Sequence, residues 1–290
     1  VRDRNGSDGP LVGAQWAPTA VVVANGRGRP ELTLETTGFQ LLAEGEAAAQ
    51  TGEPRVRGKE LYCENAVIGA YYRECEEIVK RVTGARHVAA FDHNVRCDTA
   101  KKAGQRIQGG NLVQSAASLV HGDYTSTSAR RRLEALADPP KINDPLKSVQ
   151  GDTPLLRKED VDQATSGQRR YAFINLWRPI SIVEAKPLAC CDAATTAEDD
   201  LIVFSLQYAD RVGENYFAKH EDRHRWYYYP QMTPDEAMLI KQWDSAGRVG
   251  DGKERPSTSA FALHTAFVDP SSPPGAPDRE SIEVRCVVLY

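Results

Sequence analysis

The stretch Leu119-Val120-His121-Gly122-Asp123-Tyr124-Thr125 is an apolar run that ends in an imidazole and a carboxylate two residues apart. On an extended strand, residues i and i+2 point to one face, so His121 and Asp123 can meet a single metal ion together. Gly122 keeps the opposite side clear. One histidine and one carboxylate are two thirds of the facial triad of a non-haem iron(II) site, which needs one more histidine and leaves coordination positions open. The candidate is His264, in Ala262-Leu263-His264-Thr265-Ala266-Phe267, at a separation that only a fold can close.

A bare His-x-Asp is weak evidence, and the C-terminus strengthens it. After His264 comes Arg279-Glu280-Ser281-Ile282, which opens a strand-like run from Ser281 to Tyr290. Arg279 and Ser281 share a face, and an arginine fork beside a hydroxyl suits one carboxylate of a dicarboxylic acid. The order His-x-Asp, distant His, Arg-x-Ser is that of 2-oxoglutarate-dependent oxygenases. Arg285 competes with Arg279, because 279, 281, 283 and 285 alternate onto one face. About 20 Å of strand separates the two arginines, so only one can serve a given carboxylate; Arg279 is preferred for its Ser281 neighbour.

The chain has 290 residues, a net charge of −4 and a pI near 5.9, with Lys and Arg spread among acids. That leaves no basic surface for nucleic acid and points to a small-molecule partner. No apolar run is long enough to span a membrane, and no signal peptide is visible at Val1-Arg2-Asp3-Arg4. Cys63, Cys75, Cys97, Cys190, Cys191 and Cys286 show neither a CxxC pair nor regular spacing, as expected of reduced thiols in a cytoplasmic protein. In that setting Asn5-Gly6-Ser7 reads as a polar turn rather than a glycosylation site.

Residues 1–30, rich in Gly and Pro, read as an extended arm packed along one domain that spans 1–290. Tyr62 to Thr83 has a helical period through Val67, Ile68, Tyr71, Cys75, Ile78, Val79 and Val82, with Gly84 as the stop. His87 to Arg96 reads as a core strand, within which Asp92-His93 lacks a third metal ligand. Lys101 to Asn111 is expected to be a flexible loop that can serve as a lid. Thr127 to Ala137 reads as a helix capped by Ser126 or Thr127, its three arginines forming a solvated face. Pro139 to Gly167 is expected to be a long surface segment. Arg170 to Ile182 alternates so that Phe173, Asn175 and Trp177 share a face, and Leu201–Ala209, Asn215–His220 and His224–Tyr229 suggest a meander. Thr233-Pro234-Asp235-Glu236 has the pattern of a capping box, which predicts a helix to about Trp243. Gly247 to Ser259 reads as a loop. Asn175, Trp177, Arg178 and Tyr227 are candidates to line the pocket. The whole pattern is mainly β with flanking helices, a double-stranded β-helix or cupin-like jelly roll.

The runs FDHNVR, VHGDYTSTSARRRL, NLWRPI, HRWYYYPQMTPDEAMLIKQWDS and HTAFVDPSSPPGAPDRESIEVR resemble the AsaB-type hydroxylase/desaturase family of fungal and bacterial secondary-metabolite clusters. That family includes gibberellin-desaturase-like proteins and relatives of the cephamycin hydroxylation protein. The resemblance runs from about residue 35 to the end; the Gly247–Ser259 loop departs from it. It implies an Fe(II)/2-oxoglutarate-dependent oxygenase in which His121, Asp123 and His264 hold iron and Arg279 binds 2-oxoglutarate. It also implies O2 and a natural-product or amino-acid-derived substrate, oxidised by hydroxylation, desaturation or ring closure. A homodimer is left open, as are a zinc or manganese cupin and a non-catalytic accessory jelly roll.

Overall fold

In the computed structural model, the described residues are 13, 15–49, 55–142, 144–207, 212–252 and 255–290. Asn5-Gly6-Ser7 lies outside them, as does the rest of the arm's first third. Among the described residues, twelve strands form two sheets. The five-stranded sheet, ordered β2-β10-β5-β12-β3, is built from β2 (Phe39–Leu42), β3 (His87–Arg96), β5 (Tyr171–Pro179), β10 (Ala237–Asp244) and β12 (Ser281–Leu289). The seven-stranded sheet, ordered β1-β9-β6-β11-β4-β8-β7, takes β1 (Val23–Asn25), β4 (His121–Gly122), β6 (Leu188–Cys191), β7 (Leu201–Gln207), β8 (Val212–Ala218), β9 (Trp226–Tyr228) and β11 (His264–Ala266). All pairings are antiparallel except β1 with β9. This is the expected jelly roll.

The five-stranded sheet separates two environments. Its outward side carries Ile174, Leu176, Ile282, Val284 and Leu239, which join one large apolar cluster with Tyr71, Cys75, Ile78 and Val79 of the helical segment. That segment is α1 (Glu64–Ala66), a π-helical turn (Val67–Tyr71) and α2 (Tyr72–Thr83). Gly84 closes α2 at φ 66°, a left-handed position that glycine takes without a Cβ clash. The inward side alternates with the first and carries Asn175, Trp177, Glu283 and Arg285. Helices and apolar residues therefore cover one face, and the space between the sheets holds these polar side chains beside a second apolar cluster that includes Trp177, Met238, Ile240, Leu188 and Cys190.

Several expectations need correction. Thr233 to Glu236 does close on itself, the Thr233 amide donating to Glu236 Oε2 and the Glu236 amide to Thr233 O, both at 3.0 Å. The chain then leaves as β10 rather than as a helix. Seven of its eight residues are buried, because it pairs with β2 on one side and β5 on the other, and that tertiary burial outweighs the local signal. β7 and β8 form a hairpin, yet β9 pairs with β6 and β1, so there is no meander. The helix after β4, α4 (Ser126–Ala135), starts one residue early, with Thr125 as its cap. The 139–167 segment holds α5 (Lys147–Gln150) and α6 (Lys158–Thr165), and buries Leu146, Leu156, Val161 and Ala164 against the core. The 101–111 loop follows α3 (Asp98–Lys102) and is tied down by backbone hydrogen bonds with Ile107 buried, which is not a lid's character.

Candidate active site

His121 and His264 are directly opposed across the β4/β11 pairing. Their rings lie 4.3 Å apart between centroids. The long sequence separation is thus closed by one register position, and Asp123 follows one residue after the end of β4. One ligand atom from each of His121, Asp123 and His264 lies within 4.8 Å of the other two. Each histidine turns Nδ1 to a main-chain carbonyl, His121 to Leu119 O at 2.7 Å and His264 to Ala262 O at 3.3 Å. A carbonyl only accepts, so Nδ1 carries the proton and Nε2 is left with its lone pair for a metal.

Electrostatics keep both rings neutral and the carboxyl ionised. Burial, and for His121 the neighbouring His264, pulls the imidazoles below their ordinary value, His121 to about 4. Burial alone would raise Asp123, but Arg285, the two histidines and Asn175 outweigh it and hold the carboxylate well below the usual range. Two neutral imidazoles and an anion are the donor set of an iron(II) facial triad. Gly122 faces the other way; a Cβ there would stand 3.3 Å from Phe261 Cδ2, so the packing behind the ligands admits little more than hydrogen.

Arg279 and Ser281 sit at the start of β12, 4% and 1% exposed. Arg279 donates from Nη1 to Lys186 O at 2.7 Å, and its guanidinium lies over the Trp177 ring at 5.5 Å. Its Nε and the Ser281 hydroxyl are buried without a hydrogen-bond partner, and no carboxylate is within ion-pair distance among the described residues. Burial, with Arg96 nearby, pulls the guanidinium down to about 10. A buried cation without a counter-charge costs several kcal/mol, roughly, unless an anion arrives. The pair therefore fits one carboxylate of 2-oxoglutarate.

Arg285 is in the opposite condition. It reaches Asp92 at 2.9 Å, Glu283 at 3.3 Å and Asp123 at 3.5 Å, so its donors are already engaged. Asn175 is beside the triad, donating to Asp123 Oδ2 at 3.0 Å. Tyr227 is not brought to the polar cluster; it packs near Phe39 at 6.2 Å, beneath Arg29, while Arg178 turns to the helix side and donates to the Tyr71 hydroxyl at 2.9 Å. His93 is structural, its Nδ1 paired at 2.8 Å with the Tyr72 hydroxyl on the helix side, while Asp92 turns inward to Arg285. The α4 arginines serve surface pairs with Glu134, Glu214 and Asp144. The sequence reading missed Gln242, whose Oε1 accepts the Asp123 amide at 3.2 Å. It lies where the β10/β5 register shifts, and no spacing rule places a bulge. Glu283 lies on the same 279–285 face, between the two arginines, and pairs with Arg285.

A family model described as "Oxidoreductase/YMDC permease-like domain" matches residues 5–289. The Fe(II)/2-oxoglutarate-dependent dioxygenase nvfI of Aspergillus novofumigatus is 30% identical over 278 residues, covering 94% of this chain and 84% of the relative. The chain belongs to the hydroxylase/desaturase family of Fe(II)/2-oxoglutarate-dependent oxygenases. The hydroxylase/desaturase efuI of Hormonema carpetanum is 28% identical over 277 residues, covering 90% of this chain and 79% of the relative. Among solved structures, the iron and alpha-ketoglutarate-dependent endoperoxidase NvfI superposes with a TM-score of 0.73 at 26% identity, over 97% of this chain and 91% of that one. This family member is accordingly an oxidoreductase that uses iron(II), 2-oxoglutarate and O2 on a small molecule of secondary metabolism. Among the described residues, no helix is long and apolar enough to cross a membrane.

Proposed function

We propose that His121, Asp123 and His264 hold the iron(II), and that Arg279 with Ser281 binds the distal carboxylate of 2-oxoglutarate. The observation that carries the second half is the buried Arg279, unpaired beside an unpaired hydroxyl while Arg285 is saturated. When bound, iron with 2-oxoglutarate and O2 supplies the oxidant that removes hydrogen from the substrate. The chain's own part is to orient and to neutralise. Nδ1 hydrogen bonds fix both imidazole rings, and Asn175 and Gln242 fix Asp123 through its side chain and its amide. Trp177 supports the Arg279 guanidinium, whose rigid fork sets the far end of the cosubstrate.

Residues 1–290 are read as one domain working in the cytoplasm, in keeping with six free cysteines. Its partners are a natural-product or amino-acid-derived substrate and O2, with no nucleic acid or membrane. Hydroxylation, desaturation and ring closure share the hydrogen abstraction, and the shape of the space between the sheets selects among them. The test is a binding titration. Iron(II) followed anaerobically by 2-oxoglutarate should give one tight site each in the native chain. Arg279→Ala should keep the metal and lose about 2 to 5 kcal/mol of 2-oxoglutarate binding, roughly thirtyfold or more. Unchanged 2-oxoglutarate affinity in Arg279→Ala would refute its assignment.

A further inference from the structure

Arg285 occupies one cross-strand row with Asn175 on β5 and Asp92 on β3. The row is a built clamp. Arg285 Nη1 donates to Asp92 at 2.9 Å and Nη2 to Glu283 at 3.3 Å. With its amide oxygen facing the guanidinium, Asn94 accepts from both, at 2.8 and 2.9 Å. Three side chains thus immobilise the fork, and Nε is left pointing at Asp123 Oδ2 at 3.5 Å. The same oxygen takes the Asn175 amide at 3.0 Å, while Oδ1 faces His121 Nε2 at 3.7 Å.

We infer that Arg285 is a positioning residue that makes Asp123 a one-oxygen metal ligand, by occupying Oδ2 together with Asn175 and leaving Oδ1 to the metal. The inference rests on the metal reading above. Its consequence concerns the count of open positions. On a six-coordinate ion, three protein ligands would leave three positions for the cosubstrate and O2. A carboxylate free to bind through both oxygens takes one of the three. The clamp prevents this by acting through Asp123, and partners of this kind around a ligand typically change metal affinity about 10- to 100-fold.

Cobalt(II) is the probe, titrated into the full chain without 2-oxoglutarate and followed by its visible absorption, which reports coordination number and geometry. The variants are Arg285→Met and Arg285→Lys, with Asp123→Ala as the reference for a lost ligand. Arg285→Lys keeps a cation among Asp92 and Glu283, so it preserves the fold if Arg285→Met does not; a melting curve without metal checks both. The expected result is a folded variant with cobalt affinity about 10- to 100-fold weaker and a changed spectrum. A folded Arg285 variant with native affinity and spectrum overturns the positioning role alone. A native chain that binds cobalt no better than Asp123→Ala overturns the metal reading and the clamp with it.

Discussion

Gly122 shows how narrowly the site is drawn at the level of single residues. Phe261, which faces it, is stacked on Tyr216 at 5.2 Å and on Trp243 at 6.3 Å, so the ring has little room to yield. Gly122→Ala places a methyl 3.3 Å from Phe261 Cδ2. Overpacking of this kind costs about 1 to 3 kcal/mol. Because Gly122 lies between the two proposed ligands His121 and Asp123, iron(II) affinity should fall along with the melting temperature; a stable variant with native affinity would show that the spacing is not under strain. The triad was legible at this scale because residue type and a spacing of two suffice to nominate His121 and Asp123. Arg279 and Arg285 were not separable in the same way. Both lie on one strand face, and only the partners brought by β3, β4 and β5 distinguish a saturated cation from an unpaired one.

Elements whose local pattern matches their burial were read correctly. The 62–83 helix and β3 carry apolar residues at the periods their environments demand. β10 departs from its local pattern because Thr233-Pro234-Asp235-Glu236 describes only the turn, while the strand is dictated by neighbours distant in sequence. Its end is fixed by charge as well. Asp244 is fully buried against Arg170 at 2.6 Å and Lys241 at 3.0 Å. Burial by itself raises its pKa, but these cations prevail and the carboxyl titrates below its ordinary 3.8. A depressed folded value means the contribution is complete above the unfolded value of about 3.9 and fades as pH falls through the folded one. Asp244→Asn should therefore be less stable at neutral pH by about 3 kcal/mol, since it leaves Lys241 buried beside a neutral group. Urea unfolding at stepped pH should show the gap between native and variant closing below about pH 4. A gap that persists into acid would contradict this account of Asp244.

Across the whole molecule, the jelly roll was legible from strand number and ligand order, whereas its topology was not. Which strands adjoin is set by long-range pairing, and the assignment of β9 beside β6 rather than β8 has no signature in either segment. The same pairing performs the decisive act of the fold. It places β11 between β4 and β6, so that His264 meets His121, while β12 sends Arg279 and Arg285 into the space between the sheets from the other side. The sheet facing the helices carries Arg285 and Asn175, with Arg279 just before its strand β12, and the other carries the two histidines. The most direct measurement is succinate formed from 2-oxoglutarate with iron(II), ascorbate and O2, comparing the native chain with His121→Ala and Arg279→Ala, first alone and then with a natural-product panel. Turnover abolished in His121→Ala and weakened in Arg279→Ala through a higher KM for 2-oxoglutarate is the predicted result. Succinate formation that survives His121→Ala, or a metal-loaded native chain that neither binds nor turns over 2-oxoglutarate, would contradict it.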